Sequence, residues 1–329
     1  MELVVGYKCC PYIRNGLNFT RTGIKFCNKL SARGEDNIVP YGKDFYKNFI
    51  SIKKEIIENC KNGITPEYCE GCMYLEEKEW DCENEAKIDN IEIFHWNQCN
   101  CACVYCGNRS ETKLKITTKK GKGECVDLHK ILKAFIKEKH FAQHVNVSFV
   151  GGEPTLLKEF PDILKLFMKQ NYKMHILSNG ILYEKHIAKV IKGNKENYMT
   201  ISLDCGTEEI FKKLKGVDSF KTVIKNIQRY IKDTGENSKN VIIKYIIIPG
   251  LNDNEEEIIK WIELCKSIGV KTLHPTIEFC HSVNDPCKTG PSERSCELYN
   301  FMKAKIEEYG LYLNTYDFVE KMVETGKYC

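Results

Sequence analysis

The chain has 329 residues, 42% hydrophobic and 29% charged, enough for a sizeable core and for one large domain plus a smaller one. Its net charge of +4 comes from 49 basic and 45 acidic residues scattered along the sequence, which argues against a nucleic-acid or membrane partner, and no apolar run approaches the length of a membrane span. Eighteen cysteines stand out, and residues 1–8 lack the basic start and apolar core of a signal peptide, so reduced thiols, metal ligation and a cytoplasmic location are expected.

Residues 1–85 read as an irregular, cysteine-rich domain carrying Cys9, Cys10, Cys27, Cys60, Cys69, Cys72 and Cys82. Two short strand-like runs, 17–20 and 24–26, flank the turn-like Arg21-Thr22-Gly23 and predict a hairpin that ends at Cys27. Phe45, Phe49, Ile52, Ile56 and Ile57 recur at helical spacing. The pair Cys69 and Cys72 is close enough in sequence to grip one metal.

From residue 86 to 285 the pattern becomes alternating strand and helix. Strands are expected at 91–94, 145–150, 174–177, 199–203, 241–248 and 272–279, with helices near 126–139, 158–170, 184–192, 219–233 and 255–268. Strands separated by helical crossovers predict a parallel sheet. A C-terminal tail, 286–329, carries one further helix near 293–309.

The first of these strands runs into Cys99-Asn100-Cys101-Ala102-Cys103-Val104-Tyr105-Cys106. Cys99, Cys103 and Cys106 can hold three irons of a cubane and leave the fourth iron open to a ligand. A structural zinc loop uses similar spacings. Cys101 falls outside the spacing and reads as a bystander. The second strand leads into Gly151-Gly152-Glu153, where glycines admit close backbone approach and a carboxylate can accept from an ammonium group. The third ends at Ser178-Asn179-Gly180 and the fourth at Ser202-Leu203-Asp204. Turns and helix caps use the same residue types, but here they fall on the strand ends where α/β folds bind ligands.

The cysteine spacing, with Asn100 and the aromatic Tyr105, resembles the signature of the radical S-adenosylmethionine (radical SAM) superfamily, and the later strand ends agree with it. The resemblance implies an α/β fold with a partial (β/α)6 TIM-like barrel, and a 4Fe–4S cluster on Cys99, Cys103 and Cys106. It implies that Gly151, Gly152, Glu153, Asn179, Ser202 and Asp204 contact SAM, which is cleaved to a 5′-deoxyadenosyl radical. A reducing electron donor such as flavodoxin or ferredoxin is implied as well. Cys205, beside the fourth strand's end, is a candidate hydrogen donor to a substrate radical, or simply a small buried cysteine. His274 on the sixth strand reaches the pocket or sits satisfied in the core.

The N-terminal cysteines resemble an auxiliary-cluster module of the SPASM type, placed before the barrel rather than after it. That implies a second 4Fe–4S cluster on Cys10, Cys27, Cys69 and Cys72, although four thiolates also suit zinc. Cys280, Cys287, Cys296 and Cys329 match no metal pattern. The expected substrate is a peptide or protein side chain. The rivals are a small molecule such as a sugar and, from another class, a metal-binding protein without turnover.

Overall fold

A computed structural model describes residues 6–27, 38–70, 72, 74–80, 87–106, 115–121, 126–278 and 291–326. Cys82, Cys280, Cys287 and Cys329 lie outside the described residues. The chain folds as two compact units, one drawn from residues 1–96, 122–151 and 161–173, the other from 97–121, 152–160 and 174–329.

In the first unit, β1 (Tyr7–Cys9) pairs antiparallel with β5 (Glu76–Lys78). A second set of strands runs β4 (Ile38–Pro40), β3 (Gly23–Lys25), β2 (Gly16–Phe19), β6 (Ile88–Ile93) and β9 (Phe141–Phe149). β2 and β3 form the expected hairpin, closed by Thr20, whose hydroxyl oxygen accepts from the amides of Thr22 and Gly23. β2 also lies parallel to β6, Leu17 beside Ile91 and Phe19 beside Ile93. The hairpin therefore extends the strand layer of the first βα unit, an association between residues about seventy positions apart that no local pattern announces.

Helix α1 (Pro11–Asn15) precedes β2, with the Cys10 sulfur accepting from the Ile13 amide at its start. Helix α2 (Phe45–Lys61) buries Phe49, Ile50, Lys53, Ile57 and Cys60, and the Phe49 ring stacks on Phe26 at 4.6 Å. Ile52, which shares the helical spacing of Phe45 and Phe49, is 38% exposed. Lys53 takes a place on the inner face instead, because its ammonium donates to the carbonyls of Ile13 (2.5 Å) and Gly16 (2.9 Å). Helix α3 (Leu128–Lys137) and α4 (Phe160–Lys169) supply Phe135, Ile163, Leu164 and Phe167 to the core.

In the second unit β10 (Lys173–Ser178), β11 (Tyr198–Ser202), β12 (Val241–Ile247), β13 (Thr272–Ile277) and β14 (Tyr312–Leu313) are parallel neighbours in chain order. Alternation divides their faces. Met199, Ile201, Val241, Ile243, Tyr245, Leu273 and Ile277 point to one side and are at most 1% exposed. Thr200, Ser202, Lys244, His274 and Thr276 occupy the other. Helices α5 (Lys185–Gly193), α6 (Glu208–Lys215), α7 (Phe220–Thr234), α8 (Glu255–Ser267), α9 (Glu293–Glu308) and α10 (Asp317–Thr325) complete the unit. Parallel strands with intervening helices are the α/β class expected. No helix among the described residues is long and apolar enough to cross a membrane.

Candidate active site

The cysteine loop starts at β7 (Gln98–Cys99), which pairs in parallel with β8 (Lys115–Ile116). The Thr117 amide donates to the Cys99 carbonyl at 2.8 Å. Within the loop the Cys99 sulfur accepts from the Cys101 amide at 3.4 Å and from the Asn179 side-chain amide at 3.7 Å. Asn179 also donates to the Asn100 side-chain oxygen at 2.6 Å, so the residue after the first cysteine is tied to the end of β10.

Cys101 is buried and keeps its proton, because its thiol is hydrogen-bonded to both Cys103 and Cys99. Those bonds from Cys101 favour ionisation of its neighbours. Cys99 is lowered, and Cys103 falls to about 6, with the Lys215 cation assisting. Thiolate is the ligating form, and two of the three spaced cysteines are shifted toward it. A cubane takes one thiolate per iron rather than several on one ion; Cys99 ends β7, and Cys103 and Cys106 follow in the loop, the Cys106 amide donating to the Cys103 carbonyl at 3.3 Å.

Glu153 is 2% exposed and organises the adjacent strand ends. Its Oε1 accepts from the Thr155 amide (3.2 Å), the Thr155 hydroxyl (2.6 Å) and the Ser178 hydroxyl (2.9 Å). Its Oε2 accepts from the Asn179 amide at 2.7 Å. The Glu153 amide in turn donates to the Gln98 carbonyl at 2.8 Å, one residue before the cysteine loop. Burial raises the carboxyl's pKa, while these donors oppose the shift. A carboxylate offers about four lone-pair positions; Oε1 is saturated and Oε2 keeps room for one more donor, which fits a ligand's ammonium group.

Gly151 adopts φ +104°, and a Cβ there would stand 2.1 Å from the Phe94 ring, so local packing already demands glycine. Ser202 closes β11 on the polar face, in register with Lys244, which is in turn in register with His274. His274 is 1% exposed and donates from Nδ1 to the Asn314 carbonyl at 2.8 Å, which leaves a lone pair on Nε2. Cys205 is fully buried, its thiol on the Leu203 carbonyl at 3.4 Å.

Asp204 is fully buried at φ +62°, and its side chain is committed within the protein. Oδ1 accepts from the Ile246 amide at 3.0 Å, and Oδ2 takes Lys215 and the Tyr105 hydroxyl. Burial alone would raise the Asp204 carboxyl, but the Lys215 and Lys244 cations outweigh it and hold it low. Lys215, and helix α6 that carries it, were absent from the expectations. The signal was available: acidic Glu208 and Glu209 open the helix and Lys215-Gly216 closes it with a left-handed glycine.

The N-terminal cysteines also converge. Cys9, Cys10, Cys27, Cys60 and Cys69 are each at most 4% exposed and pack in one cluster with Ile13 and Trp80. Cys9 and Cys60 are hydrogen-bonded to each other. Cys72 is half-buried, and its amide donates to the Cys69 carbonyl at 3.0 Å.

A family model described as the radical SAM superfamily matches residues 93–262. The chain is 29% identical over 188 residues to a protein of Saccharolobus islandicus named probable GTP 3′,8-cyclase, covering 57% of this chain and 56% of that one. It is 30% identical over 171 residues to the GTP 3′,8-cyclase of Clostridium acetobutylicum, covering 51% and 50%. It thus spans about half the length of these curated relatives. Among solved structures, Streptococcus suis SuiB bound to S-adenosylmethionine aligns with a TM-score of 0.54 at 16% identity, over 84% of this chain and 56% of that one. SuiB bound to the precursor peptide SuiA gives 0.52 at 16% identity, over 87% and 57%. At such identity the likeness is one of fold.

Proposed function

Since the chain belongs to the radical SAM superfamily, we propose that Cys99, Cys103 and Cys106 carry the family's 4Fe–4S cluster and that Glu153, Asn179 and Ser202 face SAM beside it. That cluster, when reduced, supplies electron transfer that splits SAM and so allows hydrogen abstraction from an unactivated carbon. The hard chemistry is the cofactor's, and the protein's part is position and exclusion of water.

The observation that carries the reading is the Glu153–Asn179–Asn100–Cys99 chain of hydrogen bonds. Through Asn179 it ties the carboxylate suited to an ammonium group to the loop, the one Asn179 side-chain amide donating to both the Cys99 sulfur and the Asn100 oxygen. Asn179 fixes both ends at once: its backbone addresses Glu153 and its side chain addresses the loop. Asn179 thereby sets the distance between cofactor and cluster.

For substrate we propose a peptide or protein side chain, supported by the resemblance of the N-terminal cysteines to auxiliary-cluster modules that accompany peptide modification. The buried thiol cluster of the first unit is the proposed second 4Fe–4S site, near Cys10, Cys27, Cys69 and Cys72. A small-molecule substrate is the second reading, favoured by the relatives named GTP 3′,8-cyclase.

Anaerobic reconstitution with iron, sulfide, SAM and dithionite tests the enzyme. Formation of 5′-deoxyadenosine is expected, and its absence from iron-loaded protein would refute radical SAM activity. GTP and short peptides encoded beside the gene are then added separately, and the substrate is the one that accelerates cleavage and is itself altered.

A further inference from the structure

The cysteine loop is seated on the C-terminal end of helix α6. The Ala102 amide donates to the Lys215 carbonyl at 2.8 Å, and the Val104 amide to the Leu214 carbonyl at 3.0 Å. The last carbonyls of a helix have no intrahelical partner, and here the loop supplies two. Gly216 follows at φ +65°, where a Cβ would press on Ala102 at 3.0 Å, so loop and helix end are in van der Waals contact.

Side chains lock the same junction. The Tyr105 hydroxyl, one residue before Cys106 and two after Cys103, donates to Asp204 Oδ2 at 2.5 Å and accepts from the Lys215 ammonium at 2.5 Å. Lys215 also pairs directly with Asp204, and the two side chains are 1% and 0% exposed. Asp204 is held from behind: Ile246 donates to its Oδ1, and Asn252 donates to its carbonyl at 2.8 Å, which stabilises the left-handed backbone. The ion pair is neutral overall, and every charged atom in it faces a partner inside the protein.

We propose that Tyr105, Asp204 and Lys215 form a clamp that fixes Cys103 and Cys106 for the cluster, with Lys215 and Asp204 as positioning residues acting through Tyr105 and the loop backbone. This rests on the cluster assignment above, and it gives Asp204 a task other than contact with SAM. Losing the Tyr105 hydroxyl frees the loop from the ion pair while the pair itself stays satisfied. Losing one member of the pair leaves a buried charge uncompensated, which is costlier than losing both.

The full-length protein, loaded with iron, provides the test. Tyr105→Phe is expected to fold and bind SAM like the parent. It should lose iron to a chelator roughly fivefold faster, the weight of one buried hydrogen bond, and broaden the electron paramagnetic resonance signal of the reduced cluster without SAM. Lys215→Met should do the same more strongly, Lys215→Arg should restore the parent signal, and the Asp204→Asn/Lys215→Met double variant should be milder than either single change. Parent-like iron release and resonance in Tyr105→Phe would overturn the clamp, as would a Lys215→Met whose only defect is weaker SAM binding. Failure of the parent itself to take up iron would overturn the cluster assignment, a separate outcome.

Discussion

Asn179 donates its backbone amide to Glu153 Oε2 at 2.7 Å, joining two strand ends twenty-six residues apart. The same carboxylate takes Ser178 and both donors of Thr155, so a single side chain holds these segments together. Replacing it by alanine strands buried donors, each costing about 1–3 kcal/mol. Glu153→Ala should therefore lower the melting temperature. Glu153→Gln keeps the shape but can present only one oxygen; turned to the three donors, it sets its NH2 against the Asn179 amide. It should fold and weaken SAM binding by about tenfold, read by equilibrium dialysis. Parent affinity in Glu153→Gln with a full complement of iron would remove Glu153 from the cofactor site.

The cysteine loop separates its thiols by role. Cys99→Ala, Cys103→Ala or Cys106→Ala should each abolish SAM cleavage, since three thiolates are the minimum for a cubane with one open iron. Cys101 falls outside the spacing, and its bonds to the neighbouring thiols and its burial keep it protonated, so Cys101→Ala should keep the cluster and cleavage. Equal loss of iron from Cys101→Ala would overturn the assignment of ligands.

Much of this arrangement was legible from residue order alone. The thiol spacing, the six strands and the polar residues that end them each carry a local signature: a motif, a period, a turn residue. What was missed depends on distance through space. Lys215 meets Tyr105 across one hundred and ten positions, and nothing near either residue marks the other. At Asp204 the strand end was legible, but its bonds to Lys215 and Tyr105 were not, since neither partner is near it in the strand's local pattern. Gly151 was legible as a glycine, but the Phe94 ring that requires it was not.

Two histidines should make the fold acid-sensitive. Burial lowers His175 to about 3 and His274 to about 4. His175 stacks on Tyr198 at 4.2 Å and bonds to the Thr200 hydroxyl at 2.9 Å. Their unfolded value is about 6.5, so between that and the folded values the unfolded chain binds more protons and stability is lost as the pH falls. The contribution is whole above about pH 6.5 and declines below it, by about 2 kcal/mol for each ring at pH 5. Denaturant titrations at pH 7 and pH 5 should show that loss in the parent, and a smaller one in His175→Gln. Identical pH dependence in the two proteins would show that His175 is not held neutral by burial.

The thiol cluster of the first unit has a buried cation for company. Lys53 is 0% exposed, and burial pulls it down to about 7, while Cys10, Asp89, Cys9 and Cys27 act to keep it charged. A buried ammonium is stabilised by nearby anions, and thiols become anions when they bind metal. A second cubane there would bring the iron of the intact protein to about eight per chain, four in each cluster. Replacing Cys69 and Cys72 together should halve the iron while SAM cleavage without substrate survives, and conversion of the true substrate should fall much further. Lys53→Met removes the cation but also the donor to the Ile13 and Gly16 carbonyls, a loss of about 1–3 kcal/mol for each acceptor left bare, so its iron is read on protein shown by circular dichroism to be folded. It should nonetheless lower the iron retained to near that of the double cysteine variant. Zinc in place of half the iron would keep the site but deny it electron transfer. Unchanged metal in the double cysteine variant would show that the buried thiols of the first unit are core residues and nothing more.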